Sequence, residues 1–175
     1  GSFARAGRGL AAMEAPFLAI HGVTRTFPAQ GRRPATLALR PTDLALRQGE
    51  FVSILGPSGC GKSTLLRIVA GLDTATAGEV RLHGGKISGP GRERGMVFQS
   101  YTLFPWLTVE QNIRFGLAER GVPPPEQQAV AAKFIARVGL SGFERHWPRQ
   151  LSGGMQQRCA LARALANDPE ILLLD

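Results

Sequence analysis

The residues best suited to chemistry form one continuous stretch with the pattern G-x-x-x-x-G-K-[ST], which begins at Gly56. Glycines permit backbone dihedral angles that other residues avoid, so successive N–H groups can turn inward around a polyphosphate. Lys62 would reach the β- and γ-phosphates of a nucleoside triphosphate, and the Ser63 hydroxyl would be a magnesium ligand. The predicted phosphate loop consists of Gly56, Pro57, Ser58, Gly59, Cys60, Gly61, Lys62, Ser63 and Thr64.

A phosphate loop of this kind needs a second magnesium anchor, commonly an acidic residue at the end of a neighbouring apolar strand. Asp175 follows the apolar run 171–174 and has this position. In a parallel α/β sheet, ligands gather at the carboxyl ends of the strands. The alternative is a carboxylate that merely ends a strand. The phosphate loop upstream favours the metal role.

The loop needs a strand before it and a helix after it. Residues 51–55 are apolar apart from Ser53 and predict a buried parallel strand. The helix should begin at Lys62 and end at Gly71, because glycine commonly follows the last helical turn. Further strands are predicted over residues 17–23, 36–46, 79–82, 95–99 and 170–175.

Between residues 100 and 150 the sequence is mostly helical in pattern. Thr108 with Gln111 three residues later forms a capping box that predicts a helix through about Ala118. A second helix is predicted from Glu126 to Val138, and Ser152 should cap another that runs to about Ala166. We therefore expect an α/β core over 16–99 and 151–175, with a helical subdomain over 100–150.

The amino-acid composition is typical of a globular protein. Hydrophobic residues make up 43% of the 175 residues, and the net charge of +8 comes from 18 Arg and 3 Lys against 13 acidic residues. These basic residues are scattered, so we expect no nucleic-acid partner. No apolar run approaches the ~20 residues that span a bilayer. Residues 1–15 predict a loose tail.

The two cysteines, Cys60 and Cys159, are too few for a disulfide framework or a metal site of their own. A reducing compartment is the simpler expectation. Cys60 lies in the phosphate loop, where it is either a reactive thiol near a helix N-terminus or a small residue at a tolerant position.

Taken together, the motifs resemble those of the ATP-binding subunits of ABC (ATP-binding cassette) transporters. The phosphate loop corresponds to Walker A, Gln99 to the Q-loop, residues 151–158 to the signature and residues 171–175 to Walker B. The order is the family's order, and the likeness covers nearly all of residues 17–175. It implies a P-loop NTPase (RecA-like) α/β core with an antiparallel β portion and a mostly helical insert.

The resemblance implies cofactors, partners and further site residues. ATP and Mg²⁺ would be bound, and two copies would dimerise head to tail so that Ser152, Gly153 and Gly154 of one copy complete the ATP site of the other. Gln99 would contact magnesium or the attacking water. Phe27 would stack on adenine, with core packing as its alternative.

The stretch from Tyr101 to Val109 resembles importer ATPases of the nitrate/sulfonate/taurine group. Transmembrane permease subunits would then be partners, together with a substrate-binding protein, at the cytoplasmic face of the membrane. An exposed patch at Phe104 and Trp106 could receive a permease helix. The alternative is that these two rings fill the core of the helical insert.

One feature departs from the family pattern, in which a Glu follows the Walker B Asp and a switch His comes later. The chain ends at Asp175, so neither residue is assigned, and we expect a C-terminally truncated domain with weak ATP binding and little hydrolysis. The alternative functions are a non-hydrolysing nucleotide-binding fragment and a soluble ABC protein that acts on ribosomes or DNA.

Overall fold

The computed structural model describes residues 15–31, 34–100 and 102–175. The chain divides into two compact units. The first, called the sheet unit, takes in Gly1–Leu55 and Ala75–Ile87, and the second, called the helical unit, takes in Gly56–Thr74 and Ser88–Asp175. Apart from its last residue, the tail predicted over residues 1–15 lies outside the described residues.

The sheet unit contains an antiparallel sheet with strand order β2-β1-β3-β4. Its strands are β1 (Leu18–Phe27), β2 (Thr36–Leu46), β3 (Ala77–Leu82) and β4 (Gly85–Lys86). At one end of β1, Leu18 lies opposite both Leu46 of β2 and Leu82 of β3. At the other end, β1 continues four residues past its predicted end because the ladder with β2 extends to Phe27 opposite Thr36. The antiparallel portion expected from the sequence is therefore present.

The helical unit contains four α-helices and a pair of parallel strands within the described residues. In chain order its elements are α1 (Lys62–Val69), β5 (Arg94–Val97), α2 (Val109–Glu119), α3 (Pro124–Arg137), a 3₁₀ turn (Pro148–Gln150), α4 (Gly153–Ala166) and β6 (Ile171–Leu174). The β5–β6 ladder pairs Arg94 with Ile171 and Val97 with Leu174. None of the helices in the described part of the chain is long and apolar enough to cross a membrane.

The core of the helical unit lies between α2, α3 and α4. Each helix places apolar residues three and four positions apart on its inner face, as an amphipathic helix requires. The buried cluster consists of Val109, Ile113, Ala131, Ile135, Leu140, Leu151, Cys159, Ala162 and Ala166. This packing holds the start of α4, which carries the signature residues.

Two helix starts follow the sequence prediction closely. The Gln111 N–H donates to the Thr108 hydroxyl at 3.3 Å, and the Thr108 N–H donates to Gln111 Oε1 at 2.9 Å. The Met155 N–H donates to the Ser152 hydroxyl at 3.3 Å. The capping box of α2 and the serine cap of α4 are therefore confirmed.

Other boundaries differ by a few residues. The α1 helix ends at Val69, and Gly71 follows with φ +76°. A Cβ at Gly71 would lie 2.1 Å from the Gly89 carbonyl oxygen, so only glycine fits there. The α3 helix begins at Pro124, two residues before the predicted start, because proline is compatible with the first helical turn.

The prediction of a buried strand over residues 51–55 is wrong. In the structure these residues form no strand, and the exposed fractions of Phe51 and Leu55 are 92% and 82%. A strand gains its hydrogen bonds only from a neighbouring strand, and β5 and β6 pair with each other instead. Apolar composition alone therefore predicted neither the conformation nor the burial of this segment. The predicted strand over 95–99 likewise ends at Val97, which leaves Gln99 in the following loop.

Candidate functional site

The loop over residues 56–64 has the backbone geometry that its glycines were expected to provide. Gly59 and Gly61 have φ angles of +79° and +99°, which glycine adopts without the strain of a side chain. Gly61 is also the N-cap of α1 and provides no side-chain hydrogen bond to the helix. The first N–H groups of α1 therefore remain available to an anion.

Lys62 folds back onto the loop that precedes it. Its ammonium group donates to the carbonyl oxygens of Gly56 at 2.7 Å and Pro57 at 2.9 Å, and lies 3.7 Å from Cys60 Sγ. A Cβ at Gly56 would lie only 2.7 Å from the same sulfur, so glycine leaves room for the Cys60 side chain. These contacts hold the positive charge of Lys62 against the loop.

Ser63 and Asp175 are 112 positions apart in sequence and in direct contact in the helical unit. The Ser63 hydroxyl donates to Asp175 Oδ1 at 2.6 Å. Asp175 directly follows β6, and its N–H donates to the Val97 carbonyl oxygen at 3.1 Å, which continues the parallel ladder. The predicted metal ligands are therefore neighbours at the carboxyl ends of two paired strands.

Gln99 follows β5 by two residues and lies beside Ser63 and Asp175. A shallow cavity of about 270 Å³ is lined by Ser63, Arg67, Phe98, Gln99, Ser100 and Asp175. Both the Gln99 and the Asp175 side chains are exposed to solvent. The structure thus brings Gln99 to the two predicted metal ligands, and it adds Arg67, which sequence reasoning missed although it follows Ser63 by one helical turn.

The oxygen atoms of this site fit magnesium. A hydroxyl and a carboxylate are the hard ligands that Mg²⁺ prefers, and the 2.6 Å contact places both within reach of one ion. In the described part of the chain, no three His, Cys, Asp or Glu side chains are grouped to hold a metal by themselves. The donor set therefore suits an ion that takes its other ligands from water and phosphate oxygens.

Ser152, Gly153 and Gly154 lie at the N-terminus of α4 and do not line this cavity. All three are exposed to solvent. A Cβ at either glycine would meet nothing within 4 Å, so packing within the chain does not require glycine there. The bare backbone at the start of α4 is accessible from outside the chain.

Phe27 is the last residue of β1 in the sheet unit. Its side chain is 42% exposed, so it is not a core residue. The guanidinium carbon of Arg25 lies 4.7 Å from the centroid of the Phe27 ring.

The loop between Thr102 and Thr108, called the aromatic loop, presents Trp106 to solvent with 66% of its side chain exposed. The alternative that Trp106 fills the core is therefore wrong, and Phe104 is half-buried against Phe115 at 4.5 Å between ring centroids. The helical unit also has a groove of about 480 Å³ lined by Ser100, Thr102, Leu103, Pro105, Pro148, Arg149 and Gln156.

Two polar side chains fix the aromatic loop. Asn112 is fully buried in α2, accepts from the Phe104 N–H at 2.8 Å, and donates to the carbonyl oxygens of Phe104 and Leu107 at 3.1 and 3.0 Å. Arg163 of α4 donates to the Thr102 carbonyl oxygen at 2.9 Å and lies 5.2 Å from the Phe104 ring centroid. Sequence reasoning missed both residues, although an asparagine on the apolar face of α2 is a signal of a buried hydrogen bond.

The two cysteines have different surroundings. Cys60 is half-buried in the loop, whereas Cys159 is fully buried in the core of the helical unit. Burial raises the pKa of the Cys159 thiol to about 11. Cys159 is therefore a packing residue that stays protonated at neutral pH.

Comparison with known proteins identifies the family. The model of the ABC transporter family matches residues 39–175. The match covers well over half of the chain, and the chain belongs to the ABC transporter family. The resemblance inferred from the motifs is confirmed.

The relatives are longer than this chain. It is 54% identical over 158 residues to an uncharacterized ABC transporter ATP-binding protein of Methanocaldococcus jannaschii, an alignment that covers 90% of this chain and 58% of that protein. It is 50% identical over 145 residues to the nitrate import ATP-binding protein NrtD of Synechocystis sp., which covers 83% of this chain and 54% of that protein. The chain thus spans somewhat more than half the length of these relatives.

A solved structure with a similar fold is a dimeric, post-hydrolysis state of an ATP-binding cassette bound to ADP and Pi. It aligns with a TM-score of 0.82 at 38% identity and covers 90% of this chain and 73% of that chain. The similarity confirms the predicted fold class, an α/β P-loop NTPase.

Proposed function

We propose that this domain binds Mg-ATP at residues 56–64 and acts in an ATPase subunit that pairs head to tail with a second copy and drives an importer of small anions. The observation that carries this proposal is the 2.6 Å contact between Ser63 and Asp175. It joins the carboxyl end of β6 to a loop whose lysine and uncapped helix N-terminus both suit phosphate oxygens.

Each residue of the site has a separate role in this proposal. Lys62 binds the β- and γ-phosphates, and the backbone N–H groups of the loop surround them. Ser63 and Asp175 hold magnesium, which when bound neutralises charge on the phosphate oxygens. Gln99 contacts the ion or orients the attacking water.

The start of α4 supports a composite site shared by two copies. Ser152, Gly153 and Gly154 are exposed, and the space around both glycines is open. Backbone N–H groups at a helix N-terminus attract phosphate. They would bind the γ-phosphate held by the other copy. The dimeric form of the structurally similar cassette is in keeping with this arrangement.

The groove beside the aromatic loop supports a docking site for a permease subunit. Trp106 of the aromatic loop is largely exposed, the neighbouring Pro105 lines the groove, and buried hydrogen bonds from Asn112 hold the loop in place. Exposed aromatic side chains on a rigid loop favour protein contacts. The chain would then act at the cytoplasmic face of the membrane, where a substrate-binding protein completes the importer. Because NrtD is a nitrate import protein, we propose nitrate, sulfonates, taurine and similar small anions as substrates.

The test of the transport proposal is capture of the membrane partner. The tagged protein, expressed in its own host, is purified from detergent-solubilised membranes, and mass spectrometry identifies what accompanies it. We expect a permease subunit with the wild type and about tenfold less with Trp106→Glu, because a charge at a docking hot spot costs roughly 1.4 kcal/mol or more.

Leu37→Glu is the matched control, because Leu37 is 55% exposed and lies on β2 of the sheet unit. It should leave capture unchanged. Absence of any permease from the wild-type sample, or full capture by the Trp106→Glu protein, would contradict the proposed role. Uptake of nitrate compared with other small anions by the host then identifies the substrate.

A further inference from the structure

Arg67 lines the cavity at the predicted metal ligands, and the proposed binding of Mg-ATP leaves its charge without a role. It follows Ser63 by four positions on α1, so the two side chains lie on the same face of the helix, and helical side chains tilt toward the N-terminus. The opposite face of α1 is buried, whereas Ser63 and Arg67 are exposed. The packing of α1 therefore directs Arg67 toward the side where Ser63 contacts Asp175.

The formal charges around this cavity cancel. Arg67 is positive, Asp175 is negative, and the other lining residues are neutral. A sphere with the cavity's volume of about 270 Å³ is about 8 Å across, which is close to one screening length at physiological ionic strength. At that distance and in the dielectric of water, a unit charge changes the affinity for a divalent ion by roughly fivefold. An ion at the Asp175 carboxylate is therefore repelled measurably by Arg67.

We propose that Arg67 is a specificity-determining residue that disfavours free divalent ions at the Ser63–Asp175 pair, so that the site takes magnesium together with the nucleotide. The inference rests on the proposed metal role of these two residues. Arg67 already compensates the carboxylate charge, so a free ion gains little from binding there. Magnesium that arrives with ATP brings the negative charge of the phosphates, which Arg67 attracts. The guanidinium thereby favours the metal–nucleotide complex over the metal alone.

Two measurements at low ionic strength should change in opposite directions when the charge is removed. In the first, Mn²⁺, which suits the same oxygen ligands as Mg²⁺, is titrated without nucleotide and its free concentration is followed by electron paramagnetic resonance. Arg67→Gln should bind Mn²⁺ about fivefold more tightly than the wild type. In the second, ATP is titrated in EDTA, and the same variant should bind it about 2- to 5-fold more weakly. A merely structural role of Arg67 would weaken both.

Three controls isolate the charge and its position. Arg67→Lys keeps the charge and should stay within about twofold of the wild type in both titrations. Arg92→Gln removes the same charge from an exposed turn before β5, at the opposite end of that strand from Gln99, and should change neither value. In 1 M NaCl, where the screening length is about 3 Å, the differences between Arg67→Gln and the wild type should nearly vanish.

The location of the gained ion is tested by adding Asp175→Asn to Arg67→Gln, which should abolish the tighter Mn²⁺ binding. Equal Mn²⁺ affinities of Arg67→Gln and the wild type would overturn the role of Arg67, and so would tighter binding that persists in the double variant. Loss of the magnesium effect on ATP binding in Ser63→Ala would still support the metal site in those cases. If Ser63→Ala and Asp175→Asn both keep that effect, the proposed metal site itself fails. Urea midpoints within error of the wild type show that each variant is folded.

Discussion

Replacing Lys62 with alanine is expected to weaken Mg-ATP binding about 100-fold, which corresponds to roughly 3 kcal/mol. The ammonium group lies against the loop, 2.7 and 2.9 Å from the Gly56 and Pro57 carbonyl oxygens. When a triphosphate binds, these neutral acceptors are exchanged for charged phosphate oxygens, which form stronger hydrogen bonds with a cation. Alanine removes the charge and leaves the phosphate negative charge without its partner.

The measurement is titration calorimetry with Mg-ATP, and Lys86→Ala is the matched control. Lys86 is an exposed lysine of the sheet unit that lies 3.8 Å from Glu79 Oε2, so its removal changes net charge equally. We expect its dissociation constant to stay within about twofold of the wild type, because exposed ion pairs contribute little. Equal affinities of Lys62→Ala and the wild type would contradict the assignment of the loop.

Replacing Asn112 with alanine should lower the free energy of unfolding by about 3 kcal/mol. The amide is fully buried and makes hydrogen bonds to the backbone of Phe104, Leu107 and Thr108. Alanine leaves the Phe104 N–H and several carbonyl oxygens without this partner in a dry environment. Urea denaturation measures the loss, and hydrogen exchange of the Phe104 amide should accelerate because its acceptor is gone.

Glu119→Ala, at an exposed position of the same helix, should change stability by less than about 0.5 kcal/mol. Asn112→Asp sharpens the test, because a carboxylate would face carbonyl oxygens with no proton to donate. It should be at least as destabilising at neutral pH and recover part of the loss when the acid is protonated. Stability of Asn112→Ala close to that of the wild type would show that the aromatic loop is held by other contacts.

Local chemistry predicted much of this structure. The caps at Thr108 and Ser152 depend on residues three positions away, so a single sequence contains all the information needed. The same holds for the positive φ angles at Gly59 and Gly61. The helical region predicted over 100–150 contains α2 and α3, although its bounds as a subdomain stay a prediction.

Most features that depend on distant partners were not predicted. Residues 51–55 are as apolar as a buried strand, but strand formation also requires a ladder partner, which sequence composition does not reveal. The contact of Arg163 with the Thr102 carbonyl oxygen joins residues 61 positions apart. The pairing of Ser63 with Asp175 was expected only because two motifs with known chemistry imply a common ion.

The most direct test of the nucleotide site compares ATP affinity in saturating magnesium with ATP affinity in EDTA. If Ser63 and Asp175 hold the ion, magnesium should tighten ATP binding about tenfold or more in the wild type, and Ser63→Ala should lose most of that gain. Asp175→Asn should also lose it, while binding ATP more tightly than the wild type in EDTA because a negative charge beside the phosphates is removed. If both variants keep the full magnesium effect, the metal is bound elsewhere and the proposed site is wrong.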